Sequence, residues 1–573
     1  MRATGIIFQG WRRLLKNGYK RGAEGENSIQ VSNMHFIRAG LLALTALLVM
    51  PASAQVKEDP VAAQILRLAS APRWGGLSSE SMELLRRLYA PRQGAPLWMR
   101  TGDGRKRAAM AQHLLANAYQ EGLRPADYAM ALTPPPPEDA EAQGLAEADL
   151  SLSAGMLRYI SDVHNGRRNP TEIDPELQLV SERRDPVDLL RKGMEAEDFK
   201  AWLKGLHPST HGYVQLRDAL ARMRSLAQSG PWPLLPDGPK LEKGSRGPAI
   251  PIVRSQLVKF GDRRAGMPED HADEFDAALE AAVRAFQERH GLEPDGIVGR
   301  RTRGALNTSP SERVRQIILN MERLRWLKED FGPHFVLVNI ASFELIAIER
   351  NAVVLRSPVI VGREYRRTPV FSDHIVNLVL SPAWTPPPRL ARLDVLPKIK
   401  ADPAYLAQQG FRVFDGWGPE SRELNPDGID WRGITADNLR YRLRQEPGPR
   451  NALGGVRFSL TNAFGIYLHD TPHRELFSKT ARGFSSGCIR VAKALELALF
   501  ALENDPAWPP GRLSQAMTSA RTQVVRLAHP LPVHIIYHTA WVDEAGVLQF
   551  REDIYGRDVL LRAALKLDAP PVR

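Results

Sequence analysis

Phe335-Val336-Leu337-Val338-Asn339-Ile340 and Val353-Val354-Leu355-Arg356-Ser357-Pro358-Val359-Ile360-Val361 are rich in β-branched residues and bounded by turn formers. A run of that texture reads as strand, and here it marks a change from helical to β architecture within one chain. Val376–Leu380, Gly465–His469 and Val533–Tyr537 extend the same series of expected strands. The series is interrupted between Pro386 and Pro449, where Ala391–Lys400 and Asn438–Gln445 are expected helices. An insertion of that size is long for a structureless connection and predicts a partly helical capping subdomain. Ala492–Glu503 is expected to be helical again.

Upstream of the strands the pattern is helical. Leu84, Leu85, Leu88 and Tyr89 recur at helical spacing, as do Met110, Leu114, Leu115 and Tyr119. Thr133–Glu138 (TPPPPE) is neither helix interior nor central strand, so it reads as a loop. Nothing between 60 and 230 looks catalytic. The proline-rich stretch Pro231–Pro239 forms a boundary. Beyond it, Leu241–Asn307 makes a small unit whose centre, Phe275, Leu279, Val283 and Phe286, is one amphipathic stripe.

The chain has 573 residues, so it predicts three or four domains rather than one core. Its 43% hydrophobic and 25% charged residues exclude wholesale disorder. The net charge is +12, and residues 1–54 hold seven basic against two acidic side chains, leaving +7 for the rest. Basic charge suits nucleic acid or any other acidic polymer, and no interleaving of basic and aromatic residues supports nucleic acid. Ala39–Met50 is a short apolar run after Arg38 and before Pro51-Ala52-Ser53-Ala54. It reads as a secretory leader cleaved after Ala54, with Met34 as an alternative start. The competing reading is an uncleaved anchor, which would be the chain's one membrane attachment. The working product is expected to be exported and soluble, in the periplasm if the cell has two membranes.

Cys488 is the only cysteine, in Phe484-Ser485-Ser486-Gly487-Cys488-Ile489-Arg490-Val491. It therefore excludes internal disulfides and multi-cysteine metal sites. His469 lies nineteen residues earlier, in Ile466-Tyr467-Leu468-His469-Asp470-Thr471. A thiol becomes a strong nucleophile once an imidazole takes its proton. The turn formers Pro472, Gly483 and Gly487 allow the chain to double back and bring the two together. The plain alternative is a buried structural cysteine. A metal site using His469 and His473 is the other alternative, with Pro472 spoiling a helix across that pair and no ligand set evident.

Three sets of motifs resemble known families. Gly244-Ser245-Arg246-Gly247, Val283, Phe286-Gln287, Gly291-Leu292, Asp295-Gly296, Gly299 and Thr302 resemble the small three-helix peptidoglycan-binding domain. His469 followed by Ser485-Ser486-Gly487-Cys488-Ile489-Arg490, with Val361-Gly362-Arg363 and Thr368-Pro369, resembles the L,D-transpeptidases with a YkuD-type catalytic domain. Many members carry His where Ser486 stands. The serine variant, Leu468–Pro472 and Gly448-Pro449-Arg450-Asn451 are similar to the large YcbB-like subgroup, and Gly122–Tyr128 resembles part of that subgroup's scaffold.

The resemblance implies a multidomain α+β protein. Its expected parts are a leader at 1–54, a helical scaffold at 60–230, a peptidoglycan-binding domain at 241–307 and a mainly-β catalytic domain at 333–540. The last carries a capping insertion at about 386–449 and is followed by a C-terminal segment at 541–573. The implied activity is cell-wall crosslinking by a thioester acyl-enzyme, with Cys488 as nucleophile and His469 as base. The implied partners are peptidoglycan stem tetrapeptides, as donor and acceptor, and carbapenem-type inhibitors, with no cofactor, metal or nucleic acid. Gly487 and Cys488 would offer oxyanion N–H groups, with Tyr467 contributing and Ser486 in the same turn. Arg490 would orient a substrate carboxylate or form a structural ion pair, and Trp384 would wall the donor groove or sit in a core. The alternative function is a peptidoglycan-binding protein without catalysis.

Overall fold

The computed structural model describes residues 59–179, 183–210, 212–262, 272–327, 330–503 and 505–568. The expected leader and the alternative start at Met34 lie outside the described residues. Among the described residues no helix is long and apolar enough to cross a membrane.

The first part is helical, as its periodicity predicts. Helices Pro60–Ser70, Ser79–Tyr89, Gly102–Ala116 and Pro186–Glu195 pack around the long helix Ala142–Asn165. Side-chain caps start several of them, as where Ser78 Oγ accepts from the Ser81 amide at 3.2 Å. Asp149, buried in the central helix, accepts from Tyr89 Oη at 2.5 Å and from the amides of Leu97, Trp98 and Met99 at 3.0, 2.8 and 2.9 Å. After this helix comes the short strand β1 (Leu177–Gln178).

The unit after the proline-rich boundary has helices Ala249–Phe260, Ala277–Arg289 and Arg300–Asn307 around Ile250, Val253, Phe275, Leu279, Val283 and Phe286. Its motif residues form a structural knot. The Gln287 side chain donates to Asp295 Oδ1, the Ile297 carbonyl and Thr302 Oγ1, and accepts from the Gly296 amide. Gly296 takes φ +76°, which a glycine adopts without strain.

The β region comprises β2 (His334–Asn339), β3 (Glu344–Glu349), β4 (Ala352–Gly362), β5 (Val370–Leu380), β6 (Phe411–Phe414), β7 (Glu423–Leu424), β8 (Arg442–Gln445), β9 (Val456–Ser459), β10 (Leu468–His469), β11 (Gly483–Ser485), β12 (Ile489–Val491), β13 (Gln523–Ile536), β14 (Ala540–Val542) and β15 (Leu548–Phe550). The main sheet runs β1-β5-β13-β2-β3-β4-β12-β10-β9, and β9 also pairs with β5, which closes the path into a ring. Its interior is filled by Val336, Val338, Leu345, Val361, Leu378, Phe458, Leu468, Ile489 and Val533. Helix Ala494–Ala501 and residues Tyr555, Leu561 and Leu565 of the C-terminal segment pack into the same core.

Two expected elements differ. The helix anticipated over Asn438–Gln445 is absent; Arg442–Gln445 is strand β8, paired with β6 in a three-stranded sheet with β7. Its burial alternates, with Leu443 packed against the insertion core of Val395, Ile399, Phe411 and Val413, so strand pairing decides its conformation. The strand anticipated over Gly465–His469 shortens to Leu468–His469. Gly465 takes φ +66°, and Asn462 Oδ1 accepts from the Phe464 and Ile466 amides, holding a turn there instead.

Candidate active site

The Ser486–Cys488 turn lies over one end of β4. β11 runs parallel to β4, with Ser485 opposite Gly362, and β12 returns antiparallel to it, with Arg490 opposite Ile360. Cys488 is thereby presented between two short strands registered on one long one. On its other side β12 pairs in parallel with β10, Leu468 opposite Ile489 and His469 opposite Arg490. Alternation along these strands puts Tyr467 and His469 on one face, with Cys488 and Arg490 beside them. The Tyr467 and His469 ring centroids are 5.6 Å apart.

His469 is buried, and its Nδ1 lies 2.5 Å from the Asp470 carbonyl. A carbonyl only accepts, so Nδ1 carries the proton and Nε2 keeps its lone pair. Burial, reinforced by Arg490 and then Arg457, brings the imidazole pKa down to about 3, so the ring rests neutral. Asp470 is itself fixed, with Oδ2 accepting from the Gly455 amide at 2.8 Å. His473, by contrast, is exposed beside Glu475. Among the described residues no group of three His, Cys, Asp or Glu side chains is placed to hold a metal.

The Cys488 thiol is half-buried, and burial raises its pKa against the opposing pull of Tyr467, Arg490 and Arg457. Its hydrogen bonds among the described residues run to the Gly465 carbonyl, at 3.9 Å, and to Tyr467, not to His469. The Tyr467 hydroxyl, raised by burial and then by Cys488, also contacts Trp384. Trp384 exchanges backbone hydrogen bonds with Gln445 at 2.8 and 2.7 Å and packs on the insertion core, joining that core to the site.

Arg490 forms no ion pair among the described residues, and its Nε is buried without a partner. Burial, then the neighbouring Arg363, lowers its pKa. Ser486 Oγ is 2.9 Å from Arg366 Nη1, which also binds Asp394 Oδ2 of the insertion at 2.5 Å. Ser486 thus ties the Cys488 turn to the cap. The Gly487 amide donates to Ser485 Oγ at 3.1 Å, so it is engaged within the turn and not directed at a ligand.

Sequence reasoning passed over Arg457. It lies on β9 opposite His469, with its guanidinium 5.5 Å from the Tyr467 ring centroid. The alternating Val456-Arg457-Phe458-Ser459 was the available signal. Together Arg457, Arg490 and Arg363 make the site's potential positive.

A family model described as "L,D-transpeptidase catalytic domain" (YkuD) matches residues 333–508, the segment that holds this constellation. The chain carries a YkuD L,D-transpeptidase catalytic domain. Two further models match outside the YkuD domain: "Scaffold domain" over 83–220 and "Putative peptidoglycan binding domain" over 246–306. The multidomain organisation expected from sequence, helical scaffold, peptidoglycan-binding domain and mainly-β YkuD domain, therefore holds. A Haemophilus influenzae protein named "Putative L,D-transpeptidase" is 37% identical over 252 residues, which is 44% of this chain and 50% of that protein. The chain thus spans about half the length of that relative. The N-acetylmuramoyl-L-alanine amidase CwlM of Mycobacterium tuberculosis is 39% identical over 88 residues, 13% of this chain and 20% of that one. Among solved structures, an L,D-transpeptidase from Xylanimonas cellulosilytica is 15% identical, covering 54% of this chain and 100% of that one at a TM-score of 0.18. One from Stackebrandtia nassauensis is 12% identical, covering 53% and 96% at 0.20.

Proposed function

We propose that the chain is a cysteine-dependent L,D-transpeptidase that forms third-to-third peptidoglycan crosslinks in the cell-wall space, the periplasm in a two-membrane cell. The observation that carries this reading is the chain's single thiol immediately before β12, next to strand β10, which carries a neutral imidazole whose tautomer is fixed by the Asp470 carbonyl. Reaction begins with rotation of the thiol away from Gly465 and transfer of its proton to His469 Nε2. Sulfur then bonds to the carbonyl carbon of the third stem-peptide residue. The tetrahedral intermediate collapses as the C–N bond to the terminal D-alanine breaks, and the imidazolium returns its proton to the departing amine. The side-chain amine of a second stem attacks the thioester and loses its proton to His469, and the thiolate leaves to be reprotonated.

The charges around the sulfur suit this sequence. A field from Arg457 and Arg490 lowers the energy of thiolate, oxyanion and substrate carboxylate alike. It disfavours a resting imidazolium, so His469 carries charge only while an anion stands beside it. The peptidoglycan-binding match at 246–306 supports a role in holding the polymer, and carbapenems are the expected acylating inhibitors.

The test is incubation of the protein with disaccharide-tetrapeptide and with a carbapenem, read by mass spectrometry. The expected products are a Cys488 adduct and a crosslinked dimer with loss of D-alanine. An intact protein giving neither, where a known L,D-transpeptidase reacts, overturns the reading in favour of binding without catalysis. Cys488→Ala should abolish acylation and leave sacculus binding intact.

A further inference from the structure

The turn that carries Cys488 is held by Thr368, and Thr368 is braced by residues outside the matched catalytic segment. Thr368 Oγ1 accepts from the Gly362 amide at 2.9 Å and gives its only proton to the Gly487 carbonyl at 2.8 Å. Tyr555, beyond the end of the YkuD match, closes the Gly362–Thr368 turn behind it, with Oη donating to the Gly362 carbonyl at 2.6 Å and accepting from the Thr368 amide at 3.2 Å. Arg557 has no exposed side-chain surface and directs Nη1 at the Thr368 carbonyl at 3.4 Å. Its charge is met by Asp174 at 3.0 Å and Glu176 at 2.9 Å, both beside the scaffold strand β1. That strand joins the sheet next to the Thr368 turn, with Leu177 opposite Val370. Burying a guanidinium is costly unless its charge is met, and the two scaffold carboxylates meet that of Arg557.

The consequence falls on one peptide unit. In a trans peptide the C=O of one residue and the N–H of the next point in opposite directions. Holding the Gly487 carbonyl on Thr368 therefore turns the Cys488 amide the other way, out of the turn. The Gly487 amide is spent on Ser485. The Cys488 amide donates to no acceptor among the described residues. Gly487 takes φ +116°, a conformation that lets the peptide be set in this orientation.

We propose that Thr368, braced by Tyr555 and by the Arg557–Asp174–Glu176 cluster, is a positioning residue that aims the Cys488 amide at the oxyanion formed when the thiol is acylated. This inference rests on Cys488 being the acylated group but not on peptidoglycan being the substrate. The scaffold then has a part in the chemistry, through two carboxylates that fix the arginine behind the turn.

The experiment compares two reactions of the same thiol. Acylation by p-nitrophenyl acetate passes through a tetrahedral oxyanion; alkylation by iodoacetamide is a displacement at carbon and does not. Thr368→Val is expected to slow acylation about 10- to 100-fold, short of the loss on deleting an oxyanion donor outright, with alkylation within about threefold of wild type. Thr368→Ser keeps the hydroxyl and should restore acylation, and Asp174→Asn should reproduce the selective loss at smaller size. Wild-type acylation in Thr368→Val, or equal losses in both reactions, overturns the proposal. If Thr368→Val does not fold, Tyr555→Phe makes the same comparison, and a variant without selective loss of acylation overturns it equally. Turnover of the tetrapeptide donor is measured separately, so failure of the crosslinking reading leaves this comparison standing.

Discussion

Replacing His469 by glutamine should change the shape of the pH profile, not only its height. In the native protein the imidazole is neutral down to about pH 3, and the thiol is pushed above its ordinary value. A thiol held above its ordinary value is largely protonated at neutral pH. The wild-type reaction thus starts from a neutral pair throughout pH 5–8, and acylation of the free enzyme should be nearly flat across that range. His469→Gln leaves only the pre-formed thiolate. Its acylation should fall by about a hundredfold or more at pH 7, the usual worth of a general base. It should then recover about tenfold for each pH unit until the thiol itself ionises. The assay is the second-order rate of carbapenem adduct formation, followed by intact mass between pH 5 and 9. Parallel profiles for the two proteins would mean that His469 is not the base. A wild-type acid limb centred near pH 6.5 would mean that the ring is solvated, contradicting its burial against Asp470.

Arg490→Ala should raise the KM for a tetrapeptide donor about tenfold or more while leaving the thermal midpoint unchanged, because the guanidinium has no described ion pair to lose; a fall in the midpoint with unchanged KM would assign it a structural role. Acid should destabilise the fold through His469 and His538, each held at about 3 by burial first. Both bind a proton more readily when unfolded, so their stabilisation is complete above about pH 6.5 and is lost as pH falls toward 3, by about 1.4 kcal/mol per histidine per pH unit. Urea titrations of His538→Phe and wild type should therefore converge by that amount per unit below pH 6.5. Asp149→Ala removes the acceptor of three backbone amides and Tyr89 in the scaffold and should cost about 3 kcal/mol, read as a lower urea midpoint. An unchanged midpoint would show that those donors find other acceptors.

What the sequence could disclose divides along a physical line. Cys488 draws attention in the sequence because it is the chain's single cysteine, and His469 because a short segment rich in turn formers separates the two. The sheet is legible where β-branched runs are long, as over Val353–Val361. Arg442–Gln445 is not, because its conformation is decided by pairing with β6, and four residues carry too little period to say so. Backbone groups leave no mark at all: the Asp470 carbonyl that fixes the imidazole could be anyone's, and the Gly487 amide is lost to Ser485 through a hydroxyl whose direction no sequence encodes. Least legible is the bracing of the Cys488 turn. Thr368 reaches Gly487 across 119 positions and Arg557 reaches Asp174 across 383, so no local pattern relates them. Asp174, Tyr555 and Arg557 lie outside the segment matched as catalytic, yet they meet at Thr368, behind the Cys488 turn. A sequence boundary drawn around the chemistry therefore omits part of what orients it, and with it strand β13, which lies between β5 and β2 in the main sheet.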